Sequence, residues 1–253
     1  MIEIREMQTG YGSEKSFTIG EALFEQGKIA SVIGPNGSGK TTLLRTIAGL
    51  SSYRGSIRIC EKESRDYTGM ERARKVAYLP QLVKTVNMDV ETLVSHGRFP
   101  YHGSHGGRTR KDLERIDYAL TLTRLESFRK RNLSQLSGGE LRRAWLAMAI
   151  AQDTPMLLLD EPTTYMDLTY QSLFYKILRE LASQGKGILM VCHDLEQSFS
   201  FSDTIALVQN RTMKHFLTTQ ALMQEEQTLR ETFGVSLKKS SDPELLFPYL
   251  LKK

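Results

Sequence analysis

Mostly apolar runs of five to seven residues recur along the chain. Five such runs are KIASVIG (28–34), KVAYLP (75–80), MLLLD (156–160), ILMVCH (188–193) and TIALVQ (204–209). Several are apolar over successive positions rather than at alternate ones, which is typical of strands that are buried on both faces of a sheet. These runs therefore predict the buried strands of a sheet covered on both sides.

Helical patterns separate some of the predicted strands. KTTLLRTIAGL (40–50) has apolar residues along one face and reaches Gly49, a residue type that commonly ends helices. TYQSLFYKILRELASQG (169–185) repeats apolar residues at four-residue spacing and ends at Gly185. Alternation of strand and helix predicts an α/β fold with a mostly parallel central sheet.

The pattern changes between residues 87 and 153, which are nearly free of strand signals. Helical patterns fall there at about 88–97, 110–124 and 139–152. The first 30 residues and residues 54–60 instead resemble antiparallel strands. The predicted organisation is one domain, with a core and an antiparallel β subdomain (1–86 and 154–253) and an inserted helical subdomain (87–153).

Composition adds little to this picture. The 253 residues are 40% hydrophobic and 25% charged, as in an ordinary soluble globular protein. The net charge of +5 leaves basic clusters at 108–111 and 129–131 as possible nucleic-acid contacts. No aromatic interleaving or reader motif accompanies these clusters, so we interpret them as solvated faces and expect no nucleic-acid partner.

Cysteine usage and the N-terminal sequence indicate a cytosolic chain. Cys60 and Cys192 are far apart in apolar, strand-like runs, and we expect both to be buried free thiols. The opening MIEIREMQTGYG has no basic region followed by an apolar stretch, so no signal peptide is predicted. No apolar run approaches the roughly 18 residues that span a bilayer. Any role at a membrane is therefore expected to come through a partner.

The segment GPNGSGKTT (34–42), here called the phosphate loop, matches G-x-x-x-x-G-K-[ST]. It follows a predicted strand and opens a predicted helix, which favours a phosphate site over a simple glycine-rich turn. Backbone N–H groups would surround the phosphates, Lys40 would neutralise them and the Thr41 hydroxyl would bind Mg²⁺. The predicted nucleotide-binding residues of this loop are Gly34, Pro35, Asn36, Gly37, Ser38, Gly39, Lys40, Thr41 and Thr42.

A second signal is MLLLDEP (156–162), where a buried strand ends in acidic residues. The strand would deliver Asp160 to the carboxyl edge of the sheet as a Mg²⁺ ligand. Glu161 would point elsewhere because side chains alternate along a strand, and it is the candidate base for an attacking water. Gln81 and His193 also end predicted strands. As isolated residues they are more often a loop residue and a structural histidine, and only the combination favours Gln81 as a metal and water ligand and His193 as a phosphate contact.

The segment LSGGE (136–140) begins a predicted amphipathic helix with two glycines, which are poor helix formers. Ser137 and Glu140 have the spacing of a capping box, but this does not explain Gly138 and Gly139. Bare N–H groups at a helix start also suit an anion. No lysine stands nearby to bind the anion's phosphate.

The phosphate loop, Gln81, LSGGE, LLLDEP, Asp167 and His193 occur in the order found in ABC-type ATPases. Nearly end to end, the chain thus resembles the nucleotide-binding subunit of an ABC transporter, which implies a P-loop NTPase (RecA-like) core and the cofactors ATP and Mg²⁺. The resemblance implies a head-to-tail homodimer in which one copy's Ser137, Gly138 and Gly139 cap the ATP held by Lys40 of the other. It further implies that Asp167 links the two sites and that Tyr11 stacks on adenine.

Segments 142–168 and 94–103, with FGV (233–235) and DP (242–243), resemble the subfamily that energises ferric-siderophore import. That resemblance implies a peripheral subunit on the cytoplasmic face of the cell membrane, bound to integral-membrane permease subunits and served indirectly by an extracytoplasmic substrate-binding protein. Haem, cobalamin or another small nutrient is the alternative cargo. A soluble ABC ATPase acting on nucleic acid fits less well, because the chain has one cassette and no sustained heptads.

Three departures from that pattern are visible. Glu140 stands where many relatives have Gln, and Met166 replaces a common Leu. Asn210 replaces a usual turn Gly, and Asn tolerates the left-handed conformation that such a turn needs. None of these changes removes a predicted catalytic group.

Overall fold

The computed structural model describes residues 1–10, 16–102, 107–164, 166–239 and 249–252, the last four and 236–239 by their backbone alone. The strands are β1 Ile2–Thr9, β2 Phe17–Phe24, β3 Ile29–Ile33, β4 Tyr53–Ile59, β5 Lys62–Glu63, β6 Val76–Leu79, β7 Met156–Asp160, β8 Gly187–Val191, β9 Thr204–Gln209, β10 Thr212–Thr218, β11 Ser236–Lys239 and β12 Tyr249–Lys252. The α-helices are α1 Lys40–Ile47, α2 Gly69–Ala73, α3 Val90–His96, α4 Arg110–Leu122, α5 Gly138–Ala151, α6 Leu168–Ser183, α7 Leu195–Phe201, α8 Thr219–Gln224 and α9 Glu226–Phe233.

Within the described residues, ten strands form one sheet in the order β5-β4-β1-β2-β10-β9-β3-β8-β7-β6. The five strands from β9 to β6 are mutually parallel. The strands β5, β4, β1 and β2 are antiparallel and continue the same sheet through β10. The α/β fold is confirmed, but only half of the sheet is parallel, because hairpin-connected strands extend it on one side.

The five apolar runs form the parallel half, as predicted. Every residue of β3, β7 and β8 is buried, so both faces of these strands are covered. One face packs with α1 and the antiparallel strands in a core that includes Leu43 and Ile57. The other face packs with α6 and the helical region in a core that includes Leu146 and Leu178.

The region between residues 87 and 153 is helical, with α3, α4 and α5 where the patterns predicted them. Its apolar residues, such as Ile116 and Leu146, belong to the same cluster as Leu79 of β6 and Phe174 of α6. The helices therefore share a core with one face of the sheet. The subdomain boundaries near 87 and 153 stay a prediction.

Two local expectations need correction or refinement. Cys192 is buried and free, whereas Cys60 is free but only partly buried, because it lies in the turn after β4 with φ +48° rather than inside a strand. Asn210 adopts φ +49°, which confirms the left-handed turn expected there. No helix among the described residues has both the length and the apolar character needed to span a membrane.

Candidate active site

The phosphate loop joins β3 to α1, and two of its glycines are required by close contacts. A Cβ on Gly34 (φ +155°) would lie 2.1 Å from the carbonyl oxygen of Val208. A Cβ on Gly39 (φ +105°) would lie 2.4 Å from the ring of Phe17. Gly39 is also the N-cap of α1, so the glycine-rich part of the loop ends where that helix begins.

Lys40 is buried, and its Nζ donates to the carbonyl oxygens of Gly34 (2.8 Å) and Pro35 (2.9 Å). Burial lowers the pKa of Lys40, while the carboxylates of Glu161 and Asp160 act in the opposite direction. The hydroxyl of Ser38 is buried and has no hydrogen-bond partner within the described part of the chain. A loop-bound ammonium group beside an unpaired hydroxyl fits a phosphate, which would accept from both.

Thr41 and Asp160 meet as predicted. The Thr41 hydroxyl donates to Asp160 Oδ1 (3.0 Å), and Tyr78 donates to Oδ2 (3.2 Å). Asp160 has no exposed surface, and burial raises its pKa. The residues described contain no cluster of three or more His, Cys, Asp or Glu that would hold a metal by themselves. The hydroxyl and carboxylate oxygens present suit Mg²⁺, which is held by one or two carboxylates together with phosphates.

The structure brings together the three predicted catalytic side chains. Gln81 Nε2 donates to Glu161 Oε2 (2.6 Å), and His193 Nε2 is hydrogen-bonded to Glu161 Oε1. Glu161 does point away from Asp160, but the reason is not strand alternation. It follows the end of β7 with φ +47°, so a left-handed backbone sets its direction.

These groups surround one cavity of about 580 Å³. It is lined by Phe17, Asn36, Gly37, Gly39, Lys40, Thr41, Thr42, Gln81, Glu161, Thr164, His193 and Arg211. Phe17, Thr164 and Arg211 were not predicted from the sequence. Arg211 follows Asn210 in the β9–β10 turn with φ +59°, and only this turn geometry reveals its position beside the phosphate loop.

The LSGGE segment lies elsewhere. Ser137 and Glu140 form the predicted capping box, with Glu140 N donating to Ser137 Oγ (3.3 Å) and Ser137 N to Glu140 Oε2 (2.7 Å). Among the described residues, 137–139 are not part of the cavity lining. In the part of the chain that the structure describes, a Cβ would meet nothing within 4 Å at Gly138 and only an ordinary 3.5 Å contact at Gly139. Packing within the chain therefore does not explain the two glycines.

Two further predicted residues do not line this cavity or cannot be placed. Asp167 caps the start of α6, where its Oδ1 accepts from the N–H of Tyr170 (2.9 Å). Tyr11, predicted to stack on adenine, lies outside the described residues.

Sequence reasoning missed Arg142. This side chain is only 5% exposed, and burial lowers its pKa to about 10. Its nitrogens donate, at 2.6 to 3.2 Å, to the backbone carbonyl oxygens of Pro80, Gln81, Asp160, Glu161 and Pro162. Arg142 thus joins the ends of β6 and β7, where two of the candidate catalytic residues lie. The available signal was a charged pair, Arg142 and Arg143, within the largely apolar sequence of α5.

Comparison with known proteins agrees with this geometry. The ABC transporter family profile matches residues 21–164. The chain is 34% identical to the iron(3+)-hydroxamate import ATP-binding protein FhuC of Bacillus subtilis, over 99% of this chain and 94% of that protein. It is 38% identical to the petrobactin import ATP-binding protein FpuC of Bacillus anthracis, over 75% of this chain and 71% of that protein.

A solved structure shares the fold. The ATP-binding cassette MJ0796, a dimer in a post-hydrolysis state bound to ADP and Pi, superposes with a TM-score of 0.75 at 24% identity. The match covers 87% of this chain and 99% of that one. The family profile and the relatives together show that this chain belongs to the ABC transporter family, as an ATP-binding subunit whose hydrolysis of ATP serves transport.

Proposed function

We propose that this ATPase energises the import of ferric siderophores, acting as one of two identical subunits. The observation that carries the catalytic part is the contact of Gln81 and His193 with the two carboxylate oxygens of Glu161, at the edge of the cavity that contains Lys40. An acceptor positioned by two polar partners next to a phosphate site suits activation of a water molecule.

In the proposed complex, the phosphate loop binds the nucleotide through its backbone amides and through Lys40. Lys40 exchanges its two carbonyl partners for phosphate oxygens, and the Ser38 hydroxyl gains the acceptor it lacks. Tyr11 stacks on the base. The residues that hold the nucleotide are Gly34, Pro35, Asn36, Gly37, Ser38, Gly39, Lys40, Thr41 and Thr42.

Thr41, Asp160 and Gln81 are the proposed residues for Mg²⁺. Thr41 and Asp160 are already in contact, which keeps an oxygen ligand from the first turn of α1 close to one at the end of β7. When bound with ATP, the ion neutralises charge on the β and γ phosphates.

Glu161 is the proposed general base. It orients a water for in-line attack on the γ-phosphate and accepts its proton, an effect worth roughly 10² to 10⁴ in rate. His193, exposed at the end of β8 and bonded to Glu161, donates to the developing charge on the phosphate. Gln81 holds the other carboxylate oxygen, so the direction of the base is fixed from both sides.

The second site component comes from a second copy of the chain. Ser137 and Gly138 are exposed, and their glycine-led helix start presents bare N–H groups. The Ser137 oxygen accepts from Glu140 N, which leaves its hydroxyl hydrogen for an anion. In an isologous dimer, each copy would place this segment on the nucleotide of the other, with Asp167 at the interface.

The relatives support the proposed cargo, and an import subunit implies partners in the membrane. The two described above are named for import of iron(3+)-hydroxamate and petrobactin. We propose a ferric siderophore as cargo, integral-membrane permease subunits as direct partners and an extracytoplasmic substrate-binding protein as an indirect one. The subunit would then sit on the cytoplasmic face of the membrane.

Uptake of radiolabelled iron tests this function. Cells whose only copy is the wild type, Lys40→Ala or the control Lys176→Ala, an exposed lysine on α6, receive iron as hydroxamate, catecholate or carboxylate siderophores. Parallel cultures receive haem labelled with radioactive iron or cobalamin labelled with radioactive cobalt, and uptake of each label is measured. We expect Lys40→Ala to abolish uptake of at least one siderophore and Lys176→Ala to leave it unchanged.

Two other results would change the proposal. Loss confined to haem or cobalamin would reassign the cargo and keep the ATPase. Purified Lys40→Ala protein is first shown to hydrolyse no ATP. If cells that carry this variant then take up every compound at the wild-type rate, import of iron chelates is overturned.

A further inference from the structure

A buried glutamine outside the cavity connects the loops that carry three of the proposed site residues. Gln197 lies in the first turn of α7 and is only 5% exposed. Its Oε1 accepts from the hydroxyl of Tyr175 (2.6 Å), and its Nε2 donates to Gln171 Oε1 (2.9 Å). Both polar atoms of the amide are therefore paired with side chains of α6.

The chain of hydrogen bonds continues to the start of α6. Gln171 Nε2 donates to the backbone carbonyl oxygen of Met166 (3.0 Å), the residue before Asp167. The N–H of Gln171 also donates to the carbonyl oxygen of Asp167 (2.9 Å). The position of Asp167 is thus tied to Gln197 through one intervening side chain.

The same glutamine touches the other two loops. The N–H of Gln197 donates to Asp194 Oδ1 (3.1 Å), and Asp194 directly follows His193. The hydroxyl of Thr163, two residues after Glu161, lies 3.5 Å from Gln197 Oε1. Segments next to Glu161, Asp167 and His193 therefore meet at Gln197, the first two through its side-chain amide and the third through its backbone N–H.

The direction of this chain is fixed by its end. A backbone carbonyl only accepts, so Gln171 must turn its NH₂ group toward Met166. Its Oε1 then faces Gln197, which must present NH₂ there and Oε1 toward Tyr175. A largely buried network whose hydrogen bonds have a fixed direction favours one arrangement of its side chains.

We propose that Gln197 is a positioning residue for ATP hydrolysis. Its amide holds the segment after Glu161, the segment before Asp167 and the start of α7 beside His193 in one relative arrangement. This inference rests on the proposed function, because it assigns those three residues to the hydrolytic site and the dimer interface. Gln197 itself does not line the cavity, so its effect is on geometry rather than on nucleotide contact.

The test compares steady-state ATP hydrolysis by the full-length wild type, Gln197→Leu and Gln171→Glu. Gln171→Glu keeps an acceptor for Gln197 but replaces the donor to Met166. The matched control is Gln152→Glu, which likewise replaces an amide that donates to backbone carbonyls, those of Ala73 (2.5 Å) and Val76 (3.2 Å). Unfolding midpoints are measured for every variant.

We expect kcat to fall at least tenfold in Gln197→Leu and Gln171→Glu, with KM for ATP within twofold of wild type. Gln152→Glu is expected to lower the unfolding midpoint similarly and keep kcat within twofold. The kcat of the double variant, Gln171→Glu with Gln197→Leu, should be little lower than that of the worse single variant, because both substitutions break the same chain of hydrogen bonds. If Gln197→Leu does not fold, Tyr175→Phe removes one bond of the same network and is expected to lower kcat with unchanged KM.

The outcomes separate this inference from the proposed function. If Glu161→Gln hydrolyses ATP at the wild-type rate, the proposed function is contradicted. Turnover that is lost in Glu161→Gln but is unchanged in Gln171→Glu and Tyr175→Phe would overturn the role of Gln197 alone. A parallel fall of kcat in the Gln152→Glu control would likewise overturn it, because general destabilisation would then explain the loss.

Discussion

Arg142 donates a 3.0 Å hydrogen bond to the backbone carbonyl oxygen of Glu161. It also donates over 2.6 Å to the carbonyl oxygen of Gln81, whose side chain contacts the Glu161 carboxylate. A guanidinium group on α5 therefore fixes the main chain of both residues, while their side chains remain at the cavity. The position of Glu161, the proposed base, therefore depends on α5, a helix that has no proposed contact with the nucleotide bound by the same chain.

Replacing Arg142 by Gln should reduce both activity and stability. Buried carbonyl groups left without a donor cost about 1–3 kcal/mol each, so we expect a loss of at least about 2 kcal/mol in the free energy of unfolding. We also expect kcat for ATP hydrolysis to fall at least tenfold, because Gln81 and Glu161 lose their common anchor. Denaturant titration and steady-state kinetics measure the two effects.

Arg143 supplies the control for that experiment. It is equally buried, and it donates to the carbonyl oxygen of Thr123 (2.9 Å) in the helical region. Arg143→Gln should lose stability and keep kcat within about threefold. An Arg142→Gln protein with wild-type kcat would refute the anchoring role.

Gly138→Ala separates the needs of the chain from those of a second copy. No atom of the described part of the chain lies within 4 Å of a Cβ at this position, and Ala is the better helix former by up to about 1 kcal/mol. Stability should therefore stay equal or rise, while ATP hydrolysis falls at least tenfold because the added methyl group lies where the partner's phosphate is expected. Hydrolysis and unfolding are measured on the same preparation.

Gly69→Ala is the matched control for Gly138→Ala. Gly69 is likewise the first residue of a helix, α2, behind a capping box, and none of the residues that the structure describes lies within 4 Å of a Cβ added there. This change should leave hydrolysis at the wild-type level. Unchanged hydrolysis in Gly138→Ala would speak against a role for this segment at a partner's nucleotide.

Glu161→Gln and His193→Ala test the hydrolytic pair. Loss of the base should lower kcat by roughly 10² to 10⁴ with ATP binding retained. Loss of the proposed phosphate donor should lower it by about 10² to 10³. Because the two side chains act as one unit, the double variant should be little worse than Glu161→Gln.

Hydrolysis rates and equilibrium ATP binding check these expectations. The exposed His96 at the end of α3 provides the control His96→Ala, which should retain full turnover. A kcat within tenfold of wild type in the double variant would contradict the assigned roles.

The carboxylate of Asp112 gives a pH dependence of stability. Burial opposes its ionisation, but hydrogen bonds from Thr109 and Arg98 outweigh burial and hold the pKa of Asp112 well below the ordinary 3.8. His102 Nε2 lies 3.4 Å from the same carboxylate. The unfolded chain takes up the proton near the ordinary pKa, so this stabilisation is complete above about pH 5 and is lost as the pH falls further.

Asp112→Asn should remove this dependence. At neutral pH the variant should lose about 3–5 kcal/mol, because Arg98 is left as an unpaired buried charge. The difference in unfolding free energy between wild type and variant should shrink below about pH 4, as measured by denaturant titration from pH 7 to pH 3. Asp66→Asn, at an exposed position, is the control for the substitution itself and should change the free energy of unfolding at neutral pH by less than about 0.5 kcal/mol. If the difference in unfolding free energy between wild type and Asp112→Asn stays constant from pH 7 to pH 3, the stabilising role of the ionised Asp112 carboxylate is contradicted.

The sequence was sufficient for the buried strands and for most of the site. Runs such as MLLLD have four successive apolar residues, a pattern that is typical of strands buried on both faces. β10, with only partly buried and exposed residues, has no such signal. Helices α7, α8 and α9 have six to eight residues, too few for a clear period.

Arg142 and Gln197 were beyond sequence reasoning for a different reason. Each is a polar side chain that is buried because its partners come from distant parts of the chain. Gln197 pairs with residues 22 and 26 positions away, and Arg142 reaches back 62 positions to Pro80. The local pattern of apolar and polar residues predicts that polar side chains lie at the surface. Only the tertiary structure shows that these two are buried and hydrogen-bonded.

The strand order has a consequence for synthesis. β3, which leads into the phosphate loop, lies between β8 and β9, and both of these are made more than 150 residues later. Ribosomes add about 5–20 residues per second, so β3 waits on the order of ten seconds for its neighbours. A nascent chain that stops before β8 lacks both neighbours of β3, and the capacity to hold ATP is therefore among the last properties that the growing polypeptide acquires.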